Sequence, residues 1–182
     1  MKGTYDFELH GKGGNGGTGI ANFHMVNDQG NTRMAGAGGG GGGSGFKVST
    51  YSLTEKNILT IAWNNDGSTT LTTPNDTFTC KPGANGGDGT AADPYSSYIT
   101  ASGGSGGVRG GYTTSNGRGS FLNSSGSAGR YSASYADGGA TGGSGGSGGA
   151  LVGTYGNGGK GADVPGGVYW GWQYNQVISE TY

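Results

Sequence analysis

The chain has 182 residues, 47 of them Gly, with 30% hydrophobic and 12% charged residues and a net charge of −1. Glycine at several times its usual share of about 7% leaves few branched apolar side chains, so a conventional large core is excluded. The near-zero charge gives no bulk attraction to nucleic acid, and Cys80 stands alone, so no intrachain disulfide can form.

The first ten residues, MKGTYDFELH, lack the apolar stretch of a secretory signal. No run approaches the roughly 18 apolar residues of a membrane span. The expectation is a protein made in the cytoplasm and released without that export route. From Thr4 to Leu9, Tyr5, Phe7 and Leu9 alternate with Asp6 and Glu8, which predicts a half-buried strand. A glycine tract, 11–19, leads into a second strand, Ile20 to Val26, and a turn at 27–31. The tract at 36–45 contains six consecutive glycines, 38–43.

Phe46, Val48 and Thr50 alternate with Lys47 and Ser49, and Ile58 to Trp63 reads as a strand ending in the turn Asn64-Asn65-Asp66-Gly67. Thr69 to Thr73 and Thr77 to Cys80 are Thr-rich strand candidates. No segment has helical periodicity, and each Gly would cost a helix about 1 kcal/mol relative to Ala. From Gly83 onward, tracts at 83–89, 103–111, 138–149 and 153–161 alternate with Tyr/Ser-rich stretches at 90–102 and 112–137. The end, 165–174 and 177–182, predicts returning strands. A single domain, 1–182, is expected. It has a strand-rich part (1–82) and a part of glycine tracts with Tyr/Ser-rich loops (83–182).

The clearest repeat, GGATGGSGGSGG at 138–149, has a period of three after its first step, and 11–19 has the same GGx rhythm. A polyproline-II-type helix has three residues per turn and a rise of about 3.1 Å, so GGx leaves two of its three rails bare. Backbones can then approach closely and bond between helices, helped by weak Cα–H···O contacts. The fold class expected is therefore all-β with an irregular glycine-rich part. It comprises short antiparallel strands, a packed bundle of polyglycine-II helices and essentially no α-helix. The alternative is a set of flexible Gly/Ser linkers. Collagen is disfavoured, with only four Pro and no constant G-x-y phase.

The order of strands and tracts resembles the glycine-rich domain of bacteriophage tail fibres, including the distal adhesins of T-even-type phages. The residues that carry it are FELHGKGGNGG at 7–17, AGAGGGGGGSGFKV at 35–48, the Thr-rich hairpin and tract within 67–89, and GADVPGGVYWGW at 161–172. The resemblance implies a virion protein, non-catalytic, in which tracts form the scaffold and the segments between them meet the host. Its partners would be a bacterial surface receptor, an outer-membrane protein or glycan, and other virion proteins, with self-association left open. The chain departs from the pattern in being short, with no obvious attachment domain before the glycine-rich part.

The stretches 90–102 and 112–137 also suit binding on their own chemistry. Tyr offers stiff amphipathic area while Ser and Asn offer adaptable hydrogen bonds. The candidate receptor contacts are Tyr95, Tyr98, Tyr112, Arg118, Arg130, Tyr131 and Tyr135. The competing role for each Tyr is to cover the glycine scaffold. A structural virion role, in which the tracts mediate assembly, is the alternative function.

Other motifs carry little. Gly11 to Gly16 spells G-x-G-x-x-G, but no helix follows, as a dinucleotide site requires. Neither Gly-Lys pair precedes Ser or Thr, so there is no P-loop. His10 and His24 are the only histidines and show no metal spacing, and Asp88 has no periodic Asp partners. One Arg-Gly-Gly, at 109–111, is a poor nucleic-acid element. No cofactor, metal or membrane insertion is expected.

Overall fold

Six consecutive glycines would be floppy in isolation; here they form the axis of the molecule. The structure, a computed structural model, describes residues 2–26, 30–54, 58–90, 102–134, 146, 156–163 and 173–178. Among them there are strands and no α-helix. The tract 36–45 is buried along its whole length, and its N–H groups point in three directions in strict rotation. Ala37, Gly40 and Gly43 donate to the carbonyls of Arg130, Ser127 and Ser124. Gly38, Gly41 and Ser44 donate to Ala162, Gly159 and Gly156. Gly39 and Gly42 donate to Gly87 and Ala84.

A step of three on both partners means that every tract involved has three residues per turn and the same rise. That is the polyglycine-II geometry, and eight such residues span about 25 Å. Among the described tract residues only Gly156 takes a positive φ, 79°, so the helices share the left-handed polyproline-II sense.

The axis accepts bonds from three further sides. Gly14 and Gly17 donate to Gly42 and Gly39; Gly104, Gly107 and Gly110 donate to Ala37, Gly40 and Gly43; Gly146 donates to Gly41. Six neighbours therefore surround it: residues 11–19, 83–89, 103–111, 124–130, the position of Gly146, and 156–163. They also bond to each other around the ring. Gly86 donates to Asn15, Gly87 to Ser105, Gly129 to Gly104, Gly158 to Gly146, and Gly159 to Gly14. A Cβ on Gly146 would meet the carbonyl of Ser124, which closes the ring. Going round, the neighbours appear in chain order.

The tract at 124–130 lies inside what reads in the sequence as the loop 112–137. Only Gly126 and Gly129 face the axis there, and a Cβ on either would strike the backbone of residues 40 or 37. One glycine in three is enough for an outer helix at that position. The expected tract at 138–149 lies outside the described residues except for Gly146, as does 153–155 of the last tract.

Strands cap the bundle at both ends. At one end, β1 (Gly3–Leu9), β4 (Phe46–Leu53) and β9 (Ser120–Phe121) form an antiparallel sheet in the order β1-β4-β9. It faces a second antiparallel sheet of β5 (Thr60–Trp63), β6 (Thr69–Thr72), β7 (Thr77–Cys80) and β8 (Tyr112–Thr114), in that order. Leu9, Phe46, Val48, Leu53, Leu71 and Phe78 form the buried apolar core between them. Burial pushes the Cys80 thiol above its ordinary pKa.

At the opposite end, β2 (Gly19–Val26), β3 (Gly30–Gly36), β10 (Tyr131–Ser134) and β11 (Gln173–Ile178) form an antiparallel sheet ordered β10-β3-β2-β11. β3, β8, β9 and β10 lie in polar sequence that the alternation does not single out. β11 straddles the two strands expected at 165–174 and 177–182; residues 164–172 and 179–182 lie outside the described set. The axis and the 11–19 tract belong to the first 82 residues and the rest of the ring to the remainder, so the change of composition near 82 separates nothing in space.

Candidate functional site

The bundle separates the candidate contacts. Tyr112 and Arg118 lie at the sandwich end; Arg130 and Tyr131 lie at the other. Tyr95, Tyr98 and Tyr135 fall outside the described residues.

Tyr112 serves the sandwich. Its ring stacks on Phe46 with centroids 4.2 Å apart and meets Phe121 edge-on at 4.7 Å, and its hydroxyl donates to the Gly119 carbonyl at 3.1 Å. That is the covering role for a Tyr, and it leaves little of the ring to offer a ligand. Arg118 is exposed, on a loop held by Asp76, whose Oδ1 accepts from Ser115 Oγ and Asn116 Nδ2, both at 2.8 Å. With Lys47, Ser49, Thr50, Ser52 and Ser120 it borders an open polar depression.

At the far end, Thr90 and Ser102 exchange backbone bonds of 2.9 Å. Arg130 is exposed; its carbonyl accepts from Ala37 at 3.0 Å. Tyr131 follows on the edge strand β10 and pairs with Gly36. Arg130 and Tyr131 are thus placed at the end opposite the sandwich.

The rim of the bundle is polar because the third residue of each GGx faces out. Those residues also bond the N–H groups that point to solvent. Asn85 Oδ1 accepts from Asn15 N at 2.9 Å, Asp88 Oδ1 from Thr18 N at 2.7 Å, and Ser125 Oγ from Arg109 N at 3.1 Å.

The Thr18 bond holds the Asp88 carboxyl below its ordinary value of 3.8. Asp66 is lowered by bonds from Ser68. Asp6 is lowered first by the Thr50 N–H and then by Lys47. A folded pKa below the unfolded one means that the unfolded chain binds more protons as the medium acidifies. The stabilisation is therefore complete above about 4 and is lost as the pH falls through the folded values. Urea midpoints should be flat from neutrality to about pH 4 and then drop. Asp88→Asn should flatten that drop slightly, because the group is exposed.

The sequence gives no warning of one further feature. Ile61 and Trp63 are 67% and 61% exposed, and beside them opens a largely apolar groove of about 510 Å³ between β5 and β1. Among the described residues no cluster of His, Cys, Asp or Glu could hold a metal, and no helix could cross a membrane. Comparison of the chain with protein-family models, with curated proteins and with solved structures returns no match.

Proposed function

We propose that the chain is a receptor-binding adhesin of a bacteriophage tail fibre or tail tip, a non-catalytic virion protein that attaches the particle to an outer-membrane protein or glycan of its host. The observation that carries this reading is the ring of tracts. Every segment joining two tracts must emerge at one end of the bundle or the other, so those segments can vary without disturbing the glycine rails. Such a division between a rigid backbone-bonded scaffold and terminal loops suits a recognition surface. It adds to the resemblance in the order of strands and tracts.

The receptor surface is assigned to the end opposite the sandwich, formed around Tyr95, Tyr98, Arg130, Tyr131 and Tyr135. Tyr112 and Arg118 are left to the scaffold and the attachment end. Purified protein should bind susceptible cells and compete with phage adsorption. Replacing Tyr95, Tyr98 and Tyr131 together with Ser should reduce cell binding by at least about tenfold with an unchanged melting temperature. Undiminished binding by that folded variant would sink the assignment. Tyr112→Ser should instead lower the melting temperature. A structural virion role is the second reading; the bare apolar groove favours it, and a folded protein that binds no susceptible cell would establish it.

A further inference from the structure

Among the described residues, the two sheets of the sandwich do not match in number. Phe121 of β9 meets Tyr112 of β8, and Phe46 and Tyr51 of β4 meet Phe78 of β7. Leu9 of β1 shares the core with Leu71 of β6, and Thr69 Oγ1 donates to the His10 carbonyl at 2.6 Å. Three strands thus face three strands, and β5 is left over. Ile61 lies across from Leu71 in the ladder, and Trp63 across from Thr69. Residues directly opposed in an antiparallel pair share a face. Leu71 and Thr69 are 3% and 4% exposed on that face, whereas Ile61 and Trp63 are open. The difference is that no described strand lies beneath them. The outer edge of β1 borders the same space, and no described strand pairs with it.

We propose that this groove receives an extended strand of a partner protein. The strand bonds to the free edge of β1 and completes a sandwich of four strands on four. Its chemistry follows from the walls. Side chains facing inward are apolar and alternate, to meet Leu59, Ile61 and Trp63. Side chains facing outward lie beside Glu8, whose Oε2 is buried and has no hydrogen-bond partner. His10 Nε2 and Lys47 Nζ stand 3.8 and 3.9 Å from that carboxylate, beyond hydrogen-bonding distance. A Lys or Arg at that position of the incoming strand satisfies it.

This is β-strand addition, in which main-chain bonds give affinity and alternate side chains give specificity. A second copy does not fit. Its own β1, laid on this β1, would bring its β6 into the space that β5 already overhangs. Pairing β5 with β5 would leave the groove empty beneath both. Strand addition at β1 does not depend on what the far end binds: the sandwich is the attachment end under either reading of function.

The test uses the full chain and synthetic peptides about seven residues long. Apolar residues occupy every second position, and the intervening positions carry Lys, Ser or Glu. Binding is read by fluorescence anisotropy and by amide hydrogen exchange. Alternating peptides with Lys should bind best. They should protect amides of β1 from exchange, and scrambled peptides with clustered apolar residues should not bind. Ile61→Asp changes an exposed residue, so it should keep the melting temperature while weakening binding at least about tenfold.

Three results would overturn the proposal. They are failure of the alternating peptides to bind, binding indifferent to Ile61→Asp, and a β1 edge already protected in the free protein because the chain's remaining residues or a second copy fill the groove.

Discussion

Gly41→Ala should unfold the protein, although it adds one methyl group to a residue far from any loop. Gly41 lies on the axis of the bundle. A Cβ there would sit well under 3.0 Å from the carbonyl of Gly14, in a backbone that cannot turn aside as a side chain could. The obstacle is fixed from other directions as well. Gly41 N donates to Gly159 O and its own carbonyl accepts from Gly146, both at 2.8 Å. To relieve the clash one helix must move away, and three-residue periodicity spreads that movement to every bond in its row.

Ordinary overpacking costs about 1–3 kcal/mol. A clash between two backbones braced in a bonded lattice should exceed that, against a total stability of about 5–15 kcal/mol. Gly111→Ala is the control, since its new Cβ would meet only Lys81 Cδ, at 3.9 Å. With no clash and fewer unfolded conformations, it should be neutral or stabilising by up to about 1 kcal/mol. Urea unfolding followed by circular dichroism separates the two. Equal stability would mean that the tracts are not in close contact.

The contrast shows what replaces a hydrophobic core here. Each ordered glycine loses more backbone entropy than any other residue, and a net backbone hydrogen bond returns only about 1 kcal/mol. The tracts gain from close approach, which makes nearly every axial N–H and C=O part of the lattice, and from additional Cα–H···O contacts. The apolar sandwich at one end then anchors the ends of several tracts at once. Leu9, Phe46 and Cys80 each end a strand that continues directly into, or emerges from, a tract.

This architecture explains which parts were legible in the sequence. The tracts at 11–19, 83–89 and 103–111 announce themselves by glycine pairs, 36–45 by its six consecutive glycines, and β1 and β4 by alternation of apolar and polar residues. Residues 124–130, Ser-Ser-Gly-Ser-Ala-Gly-Arg, read as a polar loop because only two glycines carry the phase. They are nonetheless a full member of the ring. β8, β9 and β10 are three, two and four residues long, too short for a period of two to stand out. The groove was hidden for another reason. Ile58 to Trp63 predicts a strand and says nothing about how many strands lie opposite it, so the exposure of Ile61 and Trp63 is a property of the partner sheet. Tyr112 shows the same limit: composition marks it as a contact, and only the Phe46 ring beneath it reveals the covering role.

Ser44 is the other residue on which the bundle depends, and Ser44→Ala should cost about 2–5 kcal/mol. It interrupts the glycine run at its last turn and is fully buried. The first tract donates from Gly17 to Gly39 and from Gly14 to Gly42; the next step in that series would take Gly11 to residue 45. Instead Gly11 N donates to Ser44 Oγ at 3.0 Å. The same hydroxyl donates to the Lys81 carbonyl at 2.7 Å and lies 3.3 Å from Cys80 Sγ. One side chain therefore ties the axis to the start of the first tract and to the strand that leads into the third.

Removing the hydroxyl leaves the buried Gly11 N–H and the part-buried Lys81 carbonyl without this partner, the first costing about 1–3 kcal/mol and the second less. Ser44→Gly loses the same bonds while prolonging the glycine run. It should be at least as damaging, which distinguishes a requirement for the hydroxyl from a requirement for small size. Ser49→Ala, at an exposed position of β4, should stay within about 0.5 kcal/mol of the parent. Cys80 supplies a local readout beside the global unfolding curve. Its thiol is buried and has a raised pKa, so alkylation in the native protein requires opening of this junction. Both Ser44 variants should be alkylated faster than the parent under native conditions. A Ser44→Gly protein as stable and as slowly alkylated as the parent would show that the tract, and not the hydroxyl, holds this corner.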